Sequence, residues 1–350
     1  MSVKICSLRA AHGDAIIVEV EIENSFYRIV IDGGPESTQD VVAEKLINLG
    51  HIDLLVLTHY DADHIAGLIR FLEKLRGESC IIERVWANCA SIVDYDDEEY
   101  VSAYGDAYKL SNYLGRLKRT GLIGEWSDCV TSEMGRVTIG PIQIDVLSPT
   151  NNIQAELLKR YRDYIEKVGL EDDPDLEENV SYGRVQCDAT KSLSYLAYAF
   201  RPSSTTFMNK SSIALRIQAE GRSLLLLGDA DANVVTDSLS EIVKAEGKPI
   251  NVDLIKMSHH GSKANINRKL FELTNCTRFL FTTDGGTGGA YHPDRQTLAC
   301  IEAWSRKNDC PITLYFNYPL MTIMTRNPGL ISDEEREKFI IVDNANAIMI

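Results

Sequence analysis

The chain has 350 residues, 44% of them hydrophobic, and a formal net charge of −15. That length and apolar content suffice for one large or two ordinary cores, and nothing in the composition indicates disorder or a fibrous repeat. The negative charge disfavours broad attraction to nucleic acid or anionic membrane, because the summed field repels a polyanion and leaves room only for a local basic groove. Residues 1–9 lack the apolar core of a signal peptide and no later stretch reaches bilayer-spanning length, so a cytoplasmic protein without membrane contact is expected. Eight cysteines are scattered without a C-x-x-C pair, which points to reduced, mostly buried thiols. Two acidic runs, 94–99 and 171–178, read as solvated loops or helix starts.

In chain order, residues 15–20 and 26–31 alternate as an antiparallel strand pair that ends at Asp32-Gly33-Gly34. Residues 40–49 have helical spacing, and 53–57 form a short apolar strand that delivers Thr58 and His59 at its C-terminal end. Beyond it, Ile65, Leu68, Ile69, Leu72 and Leu75 share one helix face, which puts residues 61–64 in a loop and first helical turn. Residues 98–120 and 153–168 are predicted helical, 136–147 a hairpin closing at Ser148-Pro149, and 212–217 and 223–229 strands. These elements predict one domain over 1–320, with insertions around 90–130 and 150–205, and a C-terminal extension, 321–350, packed on it. The segment 52–59 matches 252–259 position for position in residue class, except that Lys256 stands opposite Val56. Each ends in a histidine beyond a buried strand, as two related half-domains packed as a sandwich would have it.

His59, Asp61, Asp63 and His64 place four metal-ligating side chains within six residues of a chain that has seven histidines. Imidazole suits zinc, iron or manganese, and carboxylates suit harder ions and bridge pairs of them, so one or two divalent ions are expected. Asp229 follows a run of four leucines, where an unpaired charge is costly unless it meets a cation; bridging ligand is the expected role, with a turn or cap as the alternative. His259 and His260 lie beyond the second matched strand, and at least one of them is expected to bind metal. Gly261 beside them allows close backbone approach.

The ordered set Asp32-Gly33-Gly34, His59-x-Asp61-x-Asp63-His64, Gly228-Asp229 and Ser258-His259-His260-Gly261-Ser262 resembles the metallo-β-lactamase superfamily. Asp61 in place of the usual second histidine, with His12-Gly13-Asp14, Asn209, Lys256 to Ser262 and Tyr291-His292-Pro293, is similar to the hydrolase domain of ComEC-type DNA-uptake proteins. The resemblance implies an α/β fold, a four-layer αββα sandwich with helical insertions, a one- or two-metal centre and hydrolysis of a phosphodiester. The chain departs from the superfamily pattern where a further histidine is customary: twenty residues before Asp229 stands Asn209, able to offer a carbonyl oxygen or hold a water. Such a weaker, harder first position makes manganese or magnesium a rival to zinc. Channel segments are lacking, so DNA uptake is not carried over.

A metal-activated water needs no side-chain nucleophile. Asp63 is expected to orient that water as well as ligate, and His292 to protonate a leaving oxygen, bind phosphate or anchor its glycine-rich loop, 285–289. Asn209, Lys210, Ser262 and Lys263 are candidate substrate contacts, and Asp32, His12 and Asp14 candidate residues behind the ligands, Asp32 orienting a ligand histidine. A nuclease or other phosphodiesterase leads. A hydrolase of a small phosphoester, thioester or lactone is the alternative, and a non-catalytic binding or regulatory module with an incomplete metal site is the third reading. Neither a Walker loop nor a G-x-S-x-G elbow occurs.

Overall fold

Alternation along Ser2–Ser7 buries Val3, Ile5 and Ser7 and leaves the intervening residues partly exposed, the pattern of a strand covered more fully on one face. Leu54–Leu57 and Leu254–Lys256 are instead buried at every position, as parallel strands covered on both faces must be. The computed structural model describes residues 2–75, 80–89, 103–167, 188–203, 205–286 and 291–350. The two acidic runs, the ends of both predicted insertion helices and residues 287–289 of the glycine-rich loop lie outside the described residues.

Two eight-stranded sheets carry the architecture. The first runs Ala347–Met349, Ser2–Ser7, Ile16–Ile22, Ser25–Ile31, Leu54–Leu57 and Ile81–Ala87, with His51–Ile52 pairing ahead of Leu54–Leu57 and Ile123–Ser127 on the far side of Ile81–Ala87. The second runs Ile340–Val342, Thr313–Phe316, Arg278–Phe281, Leu254–Lys256, Arg222–Leu226, Ala214–Ala219, Ile142–Ser148 and Val137–Ile139. Val3, Ile5, Val18, Ile29 and Val56 pack with Leu215, Ile217, Leu224 and Leu254 into the core between the sheets. The outer face of the first sheet is covered by Val42 and Leu46 of Gln39–Ile47, Leu68 and Phe71 of Ala62–Lys74, and Leu110, Leu157 and Tyr161 from the inserted helices Ala103–Arg119 and Asn151–Lys167. Leu193, Val235, Leu239, Leu298 and Ile301 cover the second. Helices, sheet, sheet, helices: this is the four-layer αββα sandwich. Residues 321–350 do more than pack on the domain, since Ile340–Val342 and Ala347–Met349 supply an edge strand to each sheet. Among the described residues no helix is long and apolar enough to cross a membrane.

The matched segments occupy equivalent places in the two sheets. Leu54–Leu57 lies parallel to Ser25–Ile31, and Leu254–Lys256 parallel to Arg222–Leu226. The aspartate that opens each repeats the same bracket: Asp53 accepts the Arg28 N–H at 2.7 Å and donates its own N–H to the Arg28 carbonyl, and Asp253 does both with Ser223. Both paired strands end in a site aspartate, Asp32 in one half and Asp229 in the other. Each half therefore aims one strand end and one loop at the seam between the sheets, where chemistry in layered α/β folds is found.

Arg295 ties the second insertion and the C-terminal region to this frame. Its guanidinium, 7% exposed, forks onto Glu335 at 2.8 and 2.9 Å and donates to the carbonyls of Lys191, Gly329 and Leu330. Removing one partner of a buried pair strands the other, so Arg295→Met is expected to lower unfolding stability by about 3–5 kcal/mol in urea titration. Burial pushes the Glu335 carboxyl up, but Arg295 and Ser332 hold it below its ordinary 4.5. Its stabilising charge is thus present above that value and lost as pH falls through the lower native value. The stability gap between the native chain and Glu335→Gln should accordingly shrink on acidification below pH 4.5.

Candidate metal centre

Asp32 closes its strand with a left-handed φ of 58°, which turns its carboxylate back under the neighbouring strand end. Its Oδ1 accepts the Thr58 N–H at 2.8 Å, and Oδ2 accepts the Thr58 hydroxyl and the His64 Nδ1–H, each at 2.7 Å. The helix carrying His64 is held against this loop by Gly33 N–H to His64 O at 2.8 Å and Gly67 N–H to Gly34 O at 2.9 Å. A Cβ on Gly33 would meet the Leu68 nitrogen at 2.3 Å, so glycine is what lets the helix approach this closely.

The other imidazoles are fixed in the same manner. Thr58 Oγ1, its proton given to Asp32, accepts from His59 Nδ1 at 3.0 Å. His260 Nδ1 donates to the Thr282 carbonyl at 2.7 Å, and His259 Nδ1 lies 3.1 Å from Asn265 Oδ1. In His59, His64 and His260 the acceptor at Nδ1 fixes the tautomer that presents Nε2 to a ligand, while His259 Nδ1 lies between Asn265 Oδ1 and Asn209 Nδ2. All four Nε2 atoms converge on one oxygen, Asp229 Oδ2: His64 at 3.5 Å, His259 at 3.7 Å, His59 at 3.9 Å and His260 at 4.0 Å. Those separations exceed ordinary hydrogen bonds and suit ligands that share a cation. The Nε2 atoms of His59, His64 and His260 are buried without a hydrogen-bond partner, a costly state unless an ion meets them.

Two further carboxylates flank the imidazoles. Asp61 Oδ2 lies 3.3 Å from His59 Nε2, and its side chain does not cap the helix that follows. Asp63 Oδ2 lies 3.5 Å from His260 Nε2 and 3.8 Å from His64 Nε2. Asp61 thus stands beside His59, and Asp63 beside His64 and His260, while Asp229 faces all four imidazoles. The capping role at the next helix falls to Asp231, which accepts the N–H groups of Asn233 and Val234, so Asp229 is not needed as a cap.

Both His259 and His260 face the cluster, although successive side chains ordinarily diverge. Their backbones are left-handed, φ 46° and 54°, which turns both rings to one side at a strain of roughly 1–3 kcal/mol each. Asn209, expected to offer an oxygen or hold a water, is buried next to His259, with its amide nitrogen 3.0 Å from His259 Nδ1 and 3.1 Å from Thr205 Oγ1 and its Oδ1 buried without a hydrogen-bond partner. Ser262, expected at the substrate, is buried and accepts the Ala264 N–H as a turn cap. Lys210 ends the short helix Phe207–Lys210 that carries Asn209, and Lys263 opens the 3-10 turn Lys263–Asn265; both are half-buried. His292 approaches from outside, its ring 5.0 Å from that of His259 and its Nδ1 3.6 Å from Asp294. His12 is half-buried in the turn that leads to Asp14.

Two residues that were not among the candidate site residues adjoin the cluster. Asn265 holds His259 and also donates to the Asp229 carbonyl at 2.7 Å. Lys256 is fully buried, with Nζ paired to Asp14, 3.0 Å from the Gly228 carbonyl and 3.9 Å from Asp229 Oδ1. Its signal was the single mismatch in the internal repeat, a lysine within an otherwise apolar strand.

Electrostatics follow from this packing. Burial alone lowers the affinity of His64 for a proton, yet Asp229, Asp63 and Asp32 raise its pKa well above 6.5. His260 is likewise raised against its burial, by Asp229 and Asp14. His259 is pushed down to about 4 by burial, against the pull of Asp229 and with the help of the neighbouring His292 and His260. Burial pushes the Asp229 carboxyl up, but the three histidines His259, His64 and His260 hold it well below the usual range. A divalent ion entering such a cluster displaces protons from His64 and His260. Affinity for Mn(II) or Zn(II) should therefore fall as pH is lowered, with proton release visible by calorimetry in buffers of different ionisation enthalpy. Asp32→Asn is expected to weaken the same binding about 10–100-fold, the usual effect of losing a carboxylate behind a ligand histidine.

No curated protein matches the chain. Among solved structures it is similar to the metallo-beta-lactamase fold protein YhfI from Bacillus subtilis, at 11% identity over 100% of both chains with a TM-score of 0.42. Zn(2+)-bound PqqB from Methylobacterium extorquens is similar at 11% identity over 99% of each chain, TM-score 0.44. A long form RNase Z from yeast shows 13% identity over 81% of this chain and 37% of its own, TM-score 0.34. The family model described as the metallo-beta-lactamase superfamily matches residues 16–133, which hold six of the eight strands of the first sheet and the segment His59 to His64, and the four-layer sandwich around that motif is the metallo-β-lactamase fold.

Proposed function

We propose that the chain is a divalent-metal-dependent hydrolase that cleaves phosphodiesters, with the centre around Asp229 as its active site. The observation that carries the reading is the convergence of four imidazole Nε2 atoms on Asp229 Oδ2, flanked by Asp61 and Asp63. Charge supports two ions. Five carboxylates, Asp14, Asp32, Asp61, Asp63 and Asp229, surround one ammonium, Lys256, and the deficit of four charges is what two divalent cations supply. Four imidazoles with Asp61, Asp63 and Asp229 form a borderline donor set suited to zinc or manganese. Bound there, such ions acidify water and polarise a phosphoryl oxygen.

The protein's own groups do the rest. Asp63 is partly exposed at the cluster's open side, where it accepts a hydrogen bond from the attacking water and fixes its approach. His292 stands beyond His259 with Asp294 behind its Nδ1, placed to pass a proton to the leaving oxygen. Lys210 and Lys263 supply the local positive charge that a phosphodiester needs in a chain of net charge −15. The similarity of the motif set to the ComEC-type hydrolase domain supports a phosphodiester over a lactam or thioester, and a phosphoester substrate, nucleic acid included, is the proposed partner.

The test is a panel of bis-p-nitrophenyl phosphate, single-stranded DNA, RNA and a β-lactam, each with Zn(II) and with Mn(II). Phosphodiester cleavage is expected, and Asp63→Ala should reduce kcat by about 100-fold or more. Preference for a lactam or a small non-phosphate ester would move the substrate assignment. Absence of bound metal together with inactivity on the whole panel would leave the non-catalytic module as the correct reading.

A further inference from the structure

A lysine with no exposed surface in the layer between two sheets is expensive, because an ammonium leaves water only where other groups replace its solvation. In the first half-domain the equivalent position is Val56, packed among the aliphatic side chains between the sheets. Lys256 departs from that pattern and spends its donors at the metal centre. Its ammonium is anchored by Asp14 and by the Gly228 carbonyl, immediately before Asp229 in the chain.

The two oxygens of Asp229 have different surroundings. Oδ2 faces four imidazole Nε2 atoms at 3.5 to 4.0 Å. Oδ1 is buried without a hydrogen-bond partner, and the Lys256 ammonium stands 3.9 Å from it. The Asp229 backbone is itself fixed, its N–H on Ser212 Oγ at 3.0 Å and its carbonyl under Asn265. The side-chain torsions are the remaining freedom, and the cation that stands nearest Oδ1 is the Lys256 ammonium, at 3.9 Å.

We propose that Lys256 is a positioning residue that makes Asp229 a single-oxygen bridge, holding Oδ1 away from the ligand face so that Oδ2 alone is shared by the two ions. This rests on the two-ion reading given above. Without the ammonium, Asp229 turns to offer one oxygen to each ion, and the electronic path between the two changes.

Replacing Lys256 alone strands Asp14, so the informative variants remove both charges: Asp14→Asn with Lys256→Met, and Asp14→Asn with Lys256→Gln. The full chain and both variants are loaded with Mn(II), the ions per chain counted by elemental analysis, and the coupled Mn(II) pair read by electron paramagnetic resonance. Thermal midpoints identify a variant that has not folded, in which case the other is read. Two ions per chain in the native protein with a shifted exchange splitting in the variant is the expected result. Loss of one ion from a folded variant supports the proposal equally, since a bridge that no longer meets both ions holds only one. Two ions with an unchanged splitting would overturn it and leave Lys256 as a buried structural ion pair, a role that does not move this signal. A native chain that binds no Mn(II) or Zn(II) would instead overturn the two-ion reading, a different outcome from an unchanged spectrum.

Discussion

A carboxylate buried at the seam of two sheets, with four imidazoles aimed at one of its oxygens, is the constraint on which the rest of this structure depends. Asp229 is 2% exposed, and its neighbours Asp14 and Asp32 are as deeply enclosed. Isolated ionised carboxylates in such surroundings protonate rather than persist. Here they persist because histidines, a lysine and backbone amides are brought to them by strand ends from both halves of the fold. The positions of the strands, the glycine contact between Gly33 and the helix after His59, and the left-handed turns at Asp32, His259 and His260 all serve that one concentration of charge.

Orientation matters as much as proximity. Each imidazole of the cluster meets a partner at Nδ1 from a different place in the chain: Thr58 for His59, Asp32 for His64, Asn265 for His259 and the Thr282 carbonyl for His260. A ring with Nδ1 engaged presents Nε2 without a search among tautomers or rotamers, so the ordering entropy of the site is met by folding and not by metal binding. Asn209 stands next to His259, and the strained tandem His259-His260 turns two imidazoles toward the cluster from one strand end.

The internal repeat shows how a site of this kind is divided. Both halves end a paired strand in an aspartate and follow a buried strand with a histidine, and both use the same aspartate bracket at positions 53 and 253. They then diverge. The first half contributes His59, Asp61, Asp63 and His64 on a loop and helix start; the second contributes Asp229, His259 and His260 on tight turns, with Lys256 beneath them. The symmetric frame sets where ligands can stand, and the departures from symmetry decide their chemistry.

Much of this was legible in the amino-acid order. Period-two and period-3.6 patterning located the strand pair of residues 15–31, the helix after His59 and the hairpin of 136–147, because local hydrophobic spacing follows directly from backbone geometry. The density of ligand types in His59 to His64, and a lone aspartate after four leucines, marked residues that gather around Asp229, because a charge in an apolar context needs a partner. What the order could not decide was which distant groups meet. That Asn209 stands next to His259, that both tandem histidines turn inward, that Ser262 caps a turn and that a strand lysine reaches Asp14 all depend on backbone angles and contacts between residues up to some 240 positions apart. Such contacts have no local periodicity to announce them; they exist only once the two sheets have packed and the cost of burying each charge has selected its partner.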